Sequence, residues 1–112
     1  MSIQLEEIII LVEVRKAPYA DHQVLVFGSA TTEIQIDWIG SSARVQHVVD
    51  KKYFSQVCEP KRIIKNNLSF KDILCIVVAE EEMKKRKNYN CISFVKRLLD
   101  QCCVDVDDPE TI

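Results

Sequence analysis

Hydrophobic residues follow a strand-like pattern through the first half of the chain. β-branched and aromatic residues are concentrated in short runs, which suit a pleated, partly buried surface. The connection after the second run begins Gly28-Ser29-Ala30, which is typical of a hairpin. Gly40 closes the next run, so the pattern predicts an antiparallel meander. The predicted strands are residues 8–14, 23–27, 33–38 and 44–49.

The second half of the chain changes to a pattern with more helix. Residues 50–57 predict a short helical turn, and residues 61–65 predict one further strand. Ser69, with Asp72 three residues later, has the form of a capping box. It predicts a helix over residues 70 to about 87.

The helix that begins after Ser69 has one apolar face. Its apolar stripe ends at Glu80, so we expect the last turns to be exposed to solvent. Residues 73–78 also form an unbroken apolar run, which leaves a buried strand as the alternative. The basic residues 84–87 suit the negative end of a helix dipole, with nucleic-acid binding as the alternative. The predicted apolar face consists of Phe70, Ile73, Ile76 and Val77.

A last helix is predicted at residues 91–102. Asn90 precedes it and is a preferred N-cap residue, which places Cys91 in the first turn. The elements together predict one α+β domain over residues 1–104, with an antiparallel sheet of four to five strands and two C-terminal helices. Residues 105–112 are acidic and are predicted to form a frayed tail.

Composition narrows the class of protein. The 112 residues are 47% hydrophobic and 29% charged, with a formal net charge of −2, as in ordinary globular proteins. This charge gives no electrostatic basis for nucleic-acid binding. No apolar run is long enough to span a bilayer, and no secretory signal is recognised. We therefore expect a cytoplasmic protein, although release by lysis or with a particle would leave no mark in the sequence.

The five cysteines are an odd number, which argues against a disulfide framework. Structural zinc sites usually have ligand pairs with about two to four residues between them, and no such cysteine pair occurs. We therefore expect free thiols and no cofactor. A composite zinc site that includes His22 or His47 is the alternative, although His47 has apolar neighbours and is interpreted as structural or exposed. The cysteines are Cys58, Cys75, Cys91, Cys102 and Cys103.

Cys91 is the cysteine best placed for chemistry. At a helix start, unpaired backbone N–H groups and the positive end of the dipole stabilise a thiolate. The same N–H groups suit the oxyanion of an acyl-transfer intermediate. The structural alternative is that Cys91 packs as a small hydrophobic residue at the start of an amphipathic helix.

A thiol nucleophile also needs a base, and His22 opens the first strand of the hairpin. With the turn centred just after Ser29, His22 lies opposite Asp37. Val24 then lies opposite Gln35 on the same face. Asp37, or Gln35 diagonally, is expected to orient the imidazole. The other face is predicted to be core and carries Leu25, Phe27, Ile34 and Ile36.

Residues 88–99 (NYNCISFVKRLL) resemble the cysteine helix of the circularly permuted papain-like hydrolases. That superfamily includes cell-wall amidases and peptidases and the relatives of lecithin retinol acyltransferase. Its histidine strand comes first and its cysteine helix last, which is the order of His22 and Cys91. DHQVLVFGS followed by EIQIDWIGSS is similar to the histidine strand and its successor in small phage and bacterial members. Two departures are the absence of the usual small residue after the histidine and of a clear second histidine as third member.

The resemblance implies a permuted papain-like fold and thiol-dependent hydrolysis or transfer of an amide, ester or thioester. Cys91 would be the nucleophile, His22 the general base, and Asp37 or Gln35 the orienting residue. The substrate would be a peptide, a peptidoglycan cross-bridge or an acyl group. The alternative is a non-catalytic binding or inhibitory module on the same fold, with a vestigial Cys–His pair.

Overall fold

The computed structural model describes residues 4–16, 22–48, 56–57, 63–64 and 67–104. Along the described residues, six strands come first, the two α-helices follow and a two-residue strand comes last, which confirms the predicted α+β class. The strands are β1 (Leu11–Lys16), β2 (Gln23–Gly28), β3 (Glu33–Ile39), β4 (Ser42–His47), β5 (Gln56–Val57), β6 (Ile63–Ile64) and β7 (Cys103–Val104). The helices are α1 (Phe70–Glu80), a 3₁₀ helix (Glu81–Lys85) and α2 (Cys91–Cys102).

The main sheet is an antiparallel meander with the spatial order β4-β3-β2-β1, and β5 pairs with the outer edge of β1. The predicted meander is therefore confirmed. β1 begins at Leu11 rather than at residue 8, because the backbone N–H of Ile9 donates to Leu68 instead of to a strand of this sheet. β6 and β7 form a separate two-stranded pair that the sequence pattern did not predict.

The connection between β4 and α1 is described at only four residues. Gln56 and Val57 form β5, so the predicted helical turn is wrong at these positions. Their backbone groups pair with Lys16 and Arg15 on the open edge of β1, which favours an extended conformation. Ile63–Ile64 confirm part of the strand predicted at residues 61–65. The other residues of both predictions, and the tail at residues 105–112, lie outside the described residues.

Helix α1 begins where the capping box predicts. The Ser69 hydroxyl accepts a hydrogen bond from the Asp72 backbone N–H, and the Asp72 carboxylate accepts one from the Ser69 backbone N–H. The α-helix ends at Glu80, and the 3₁₀ helix continues to Lys85, two residues short of the predicted end. The residues 73–78 lie within α1, so the alternative of a buried strand is wrong.

Both helices follow the sheet in the chain, and α2 packs on one side of it. We call this side the helix face; it carries Leu25, Phe27, Ile34, Ile36 and Trp38. All five side chains are buried, as predicted for the first four, and they share one core with residues of both helices. The helical members of the core are Phe70, Ile73, Val77, Phe94, Val95, Leu98, Leu99 and Cys102, with Ile76 packed against them.

Glu80 is buried, which corrects the prediction that α1 is solvated from this residue onward. Its carboxylate accepts two hydrogen bonds from the Arg97 guanidinium, at 2.8 and 3.1 Å, and one from Gln101 at 2.9 Å. The Tyr89 hydroxyl donates a further bond at 3.0 Å. A carboxylate with this many donors tolerates burial, so it joins the end of α1 to α2.

Within the part of the chain that the structure describes, no helix has both the length and the apolar character needed to cross a membrane.

Candidate functional site

The start of α2 has the local geometry that the sequence predicts. Asn90 is extended, and its side-chain oxygen accepts hydrogen bonds from the backbone N–H groups of Ile92 and Ser93, at 3.0 and 3.1 Å. Cys91 is therefore the first helical residue. Its side chain is half-buried and packs against the core on the helix face.

His22 and Asp37 are in contact, as predicted. The His22 Nε2 atom lies 2.8 Å from Asp37 Oδ2. Arg44 on β4 donates to the same carboxylate through Nε at 3.0 Å and Nη2 at 2.6 Å. The hydrogen bonds with Asp37 raise the pKa of Arg44, although burial acts in the opposite direction. Asp37 is thus a carboxylate shared between an imidazole and a guanidinium, and its side chain is fully buried.

The strand register behind this contact differs from the prediction. Val24, not His22, lies directly opposite Asp37, and Val26 lies opposite Gln35. The prediction is wrong by two residues because the turn is centred after Ala30, one residue later than expected. A shift of two residues keeps every side chain on its predicted face, so His22 reaches Asp37 diagonally.

The sheet separates the His22–Asp37 pair from Cys91. Trp38 lies on the helix face, where its ring packs against Tyr89 and Phe94 at centroid distances of 4.8 and 5.4 Å. Its neighbour Asp37 points to the opposite side, because successive side chains of a strand alternate. We call that side the second face; it carries Val24, Val26, Gln35, Asp37 and Arg44.

The structure therefore brings two of the predicted site residues together and places the third elsewhere. His22 binds Asp37 on the second face, whereas Cys91 packs with the core on the helix face. A reacting Cys91–His22 pair stays a prediction, and it requires the imidazole to move around the end of β2. Such a pair needs nucleophile and base within about 3 Å of each other, or slightly more without substrate.

Gln35, the alternative orienting residue, lies on the same face of the sheet as Asp37. It is buried on the second face, and among the described residues its Nε2 is the buried side-chain nitrogen that has no hydrogen-bond partner. Leaving an amide donor unpaired costs about 1–3 kcal/mol. The group that the imidazole contacts is Asp37, and Gln35 as an orienting residue stays a prediction.

Arg44 is the member of this cluster that the sequence reasoning missed. The sequence feature that indicates Arg44 is the turn at Gly40. This residue has a φ of 67°, in the left-handed region that glycine adopts readily. That turn pairs Ile39 with Ser42, and continuing the register places Arg44 directly opposite Asp37. A hairpin of β3 and β4 built on this turn therefore predicts the ion pair between Asp37 and Arg44.

Metal binding has no support in the described part of the chain, where no group of three or more His, Cys, Asp or Glu side chains could hold an ion. His47 lies on β4 opposite Ile34, half-buried at the helix face. Comparison with protein-family models, with curated proteins and with solved structures gives no match to this chain. The likeness to permuted papain-like hydrolases therefore rests on the quoted sequence segments.

Proposed function

We propose that this protein is a non-catalytic, protein-binding module whose Cys91 and His22 do not work as a pair. The observation that carries the proposal is the position of the His22–Asp37 hydrogen bond on the second face, while Cys91 packs on the helix face. Proton transfer between a thiol and an imidazole requires direct or water-mediated contact. In this arrangement the sheet lies between the two groups, which supports a non-catalytic role.

The partners of Asp37 support the same conclusion. Arg44 makes two charged hydrogen bonds to it, so the carboxylate is held by a guanidinium as well as by His22. Asp37 and Arg44 lie opposite each other on β3 and β4, so their ion pair joins these two neighbouring strands. The three charged or titratable groups thus have a structural role without a substrate.

Exposed apolar side chains support a binding role. Val78 on α1 is 70% exposed, and Ile10 before β1 is 66% exposed. Leu5 and Ile8 are each 45% exposed on the segment that precedes β1. Leu5 and Val78 line the same groove beside α1, and a contiguous exposed apolar patch is typical of a surface that meets a partner.

We also propose that the fold is of the permuted papain-like type, because the elements follow the order of that superfamily. The histidine strand β2, the polar strand β3 and the cysteine helix α2 follow one another as in that superfamily, with the Cys–His pair unused. We also place its action in the cytoplasm, where thiols stay reduced, since Cys75 is an exposed free thiol.

Thiol-dependent hydrolysis is the second candidate, and two observations favour it. Asn90 caps α2 and sets Cys91 at its first position, and His22 already has the carboxylate partner that orients a general base. Cys91 would attack the carbonyl carbon of a peptide, peptidoglycan or acyl substrate while His22 takes the thiol proton. The amine, alcohol or thiol would leave with that proton, and water would then hydrolyse the thioester and release the acid and the free thiol. This mechanism requires His22 to leave Asp37 and reach the helix face.

Alkylation of Cys91 separates the two candidates. We expect iodoacetamide to modify Cys91 at the same rate, within about twofold, in the wild type and in His22→Ala, because the imidazole does not contact the thiol. The measurement is peptide-resolved mass spectrometry over time at neutral pH. His47→Ala is the matched control for removing an imidazole. A loss of about tenfold or more in His22→Ala alone would establish a functional pair and overturn the proposal.

A further inference from the structure

The outer face of α1 forms an apolar groove. We define this face as Lys71, Leu74, Cys75 and Val78 of α1 together with Glu82 of the following 3₁₀ helix. The groove has a volume of about 320 Å³ and is bordered on one side by Leu5. Cys75 and Val78 are exposed, so two apolar positions at the centre of the helix are open to solvent.

The wall of the groove is held in place by the backbone. The N–H group of Lys71 donates to the Leu5 carbonyl at 3.0 Å, and that of Phe70 donates to the Glu7 carbonyl at 3.1 Å. These carbonyls satisfy two of the four unpaired donors at the start of α1. The segment that carries Leu5 is therefore attached to the helix, and the groove does not depend on side-chain contacts alone.

Charge is arranged with opposite sign at the two ends of this face. Lys71 lies at the N-terminal end and Glu82 at the C-terminal end, and both are exposed. Their positions in the sequence differ by eleven, which corresponds to about 16 Å at the rise of an α-helix. Between them lie apolar positions of small or medium size, which allow another helix to approach closely.

This pattern is complementary to itself. When two copies of the outer face pack antiparallel about a two-fold axis near the middle of α1, Lys71 meets Glu82 of the second copy, and the same pair forms again at the other end. Cys75 then lies opposite Val78 of the second copy. A two-fold interface uses the same patch on both subunits, so this match of opposite charges is what it requires.

We propose that the occupant of the groove is a second copy of this chain, and that the protein is a two-fold symmetric dimer through the outer face of α1. The inference rests on the proposed function, because it names the partner of the binding module. The small net charge of −2 adds little repulsion between copies.

Charge reversal tests the dimer, with sedimentation velocity over a range of concentrations as the measurement. We expect the wild type to dimerise, and Lys71→Glu or Glu82→Lys alone to weaken the dissociation constant about tenfold. The double variant restores both ion pairs with reversed signs and is expected to return to within about threefold of the wild type. Val78→Glu places a charge at the centre of the interface and is expected to give a monomer.

Lys96→Glu with Asp100→Lys reverses two exposed charges on α2 and is expected to leave the dimer unchanged. Circular dichroism checks that each variant is folded. A wild type that stays monomeric at high concentration overturns the inference, as does a dimer that ignores Val78→Glu or single reversals that the double variant fails to rescue.

The outcomes also separate this inference from the proposed function. A monomer whose Cys91 alkylation is independent of His22 overturns the dimer and leaves the non-catalytic assignment in place. A dimer whose Cys91 alkylation depends on His22 retains the interface and overturns that assignment.

Discussion

Among the described residues, Asp37 is the most completely buried charged side chain, with 0% exposure. Burying a carboxylate is costly unless donors replace its water, and here Arg44 and His22 do so. The guanidinium contributes two of the three bonds and a full positive charge. At the scale of single residues, Arg44 is therefore the group that makes a buried Asp37 acceptable in the sheet.

Replacing Arg44 with leucine tests this account. The change leaves Asp37 buried with His22 alone, and we expect it to lower the free energy of unfolding by about 2–3 kcal/mol. The cost is below that of breaking a fully buried pair because the Arg44 side chain is 40% exposed. Urea denaturation measures it. Arg86→Leu makes the same change at an exposed position, and an equal effect of both would contradict a special role for Arg44.

The contact between His22 and Asp37 was predictable from the sequence, whereas its register was not. Alternation along β2 and β3 placed the two residues on one face, and an error of two residues in the turn preserved that result. The side of the sheet that faces the helices was also predictable from Leu25 and Ile36. The hydrophobic pattern of the strands does not show on which side of the sheet Cys91 lies, because that depends on how α2 packs.

At the scale of elements, α1 and α2 are joined through Glu80. Burial opposes its ionisation, but hydrogen bonds from Arg97, Gln101 and Tyr89 outweigh burial and hold the pKa of Glu80 below its usual value. Burial and the bond to Glu80 in turn raise the pKa of Tyr89. From the sequence, Glu80 is interpreted as the end of an apolar stripe. Helical periodicity is local, so it does not reveal Arg97 and Gln101, the partners on α2 that are 17 and 21 residues away.

The lowered pKa of Glu80 gives a pH dependence of defined sign. Because the folded pKa lies below the unfolded one, its contribution to stability is complete above the unfolded pKa of about 4.5 and is lost as pH falls through the folded pKa. We expect Glu80→Gln to lower the free energy of unfolding by about 1–2 kcal/mol at pH 6.

Denaturation at several pH values checks this expectation. The difference between wild type and Glu80→Gln should shrink as the pH is lowered below about 4.5 and through the folded pKa, because the wild-type carboxylate then becomes protonated. Glu6→Gln, at an exposed position before β1, is the matched control. A difference that stays constant over this range would show that Glu80 stabilises the protein by packing and not by its charge.

At the scale of the whole molecule, the sheet divides the chemistry-bearing residues into two groups. The helix face combines Cys91 with an aromatic and aliphatic core. The second face combines the Asp37–Arg44 ion pair with the hydrogen bond between Asp37 and His22. The α+β class and the order of elements followed from hydrophobic periodicity and two helix caps. The separation of the two groups depends on how the helices pack on the sheet. It is the reason why we propose a binding module in place of the predicted active site.

The most direct test of this separation is a two-dimensional NOE spectrum of the folded protein. Contacts from the Trp38 ring to Tyr89 and Phe94 serve as the internal standard for the helix face. We predict that the His22 ring protons show contacts to Arg44 and Val24 on the second face and none to the Cys91 β-protons. A clear NOE between His22 and Cys91 would contradict the account and identify a working thiol–imidazole pair.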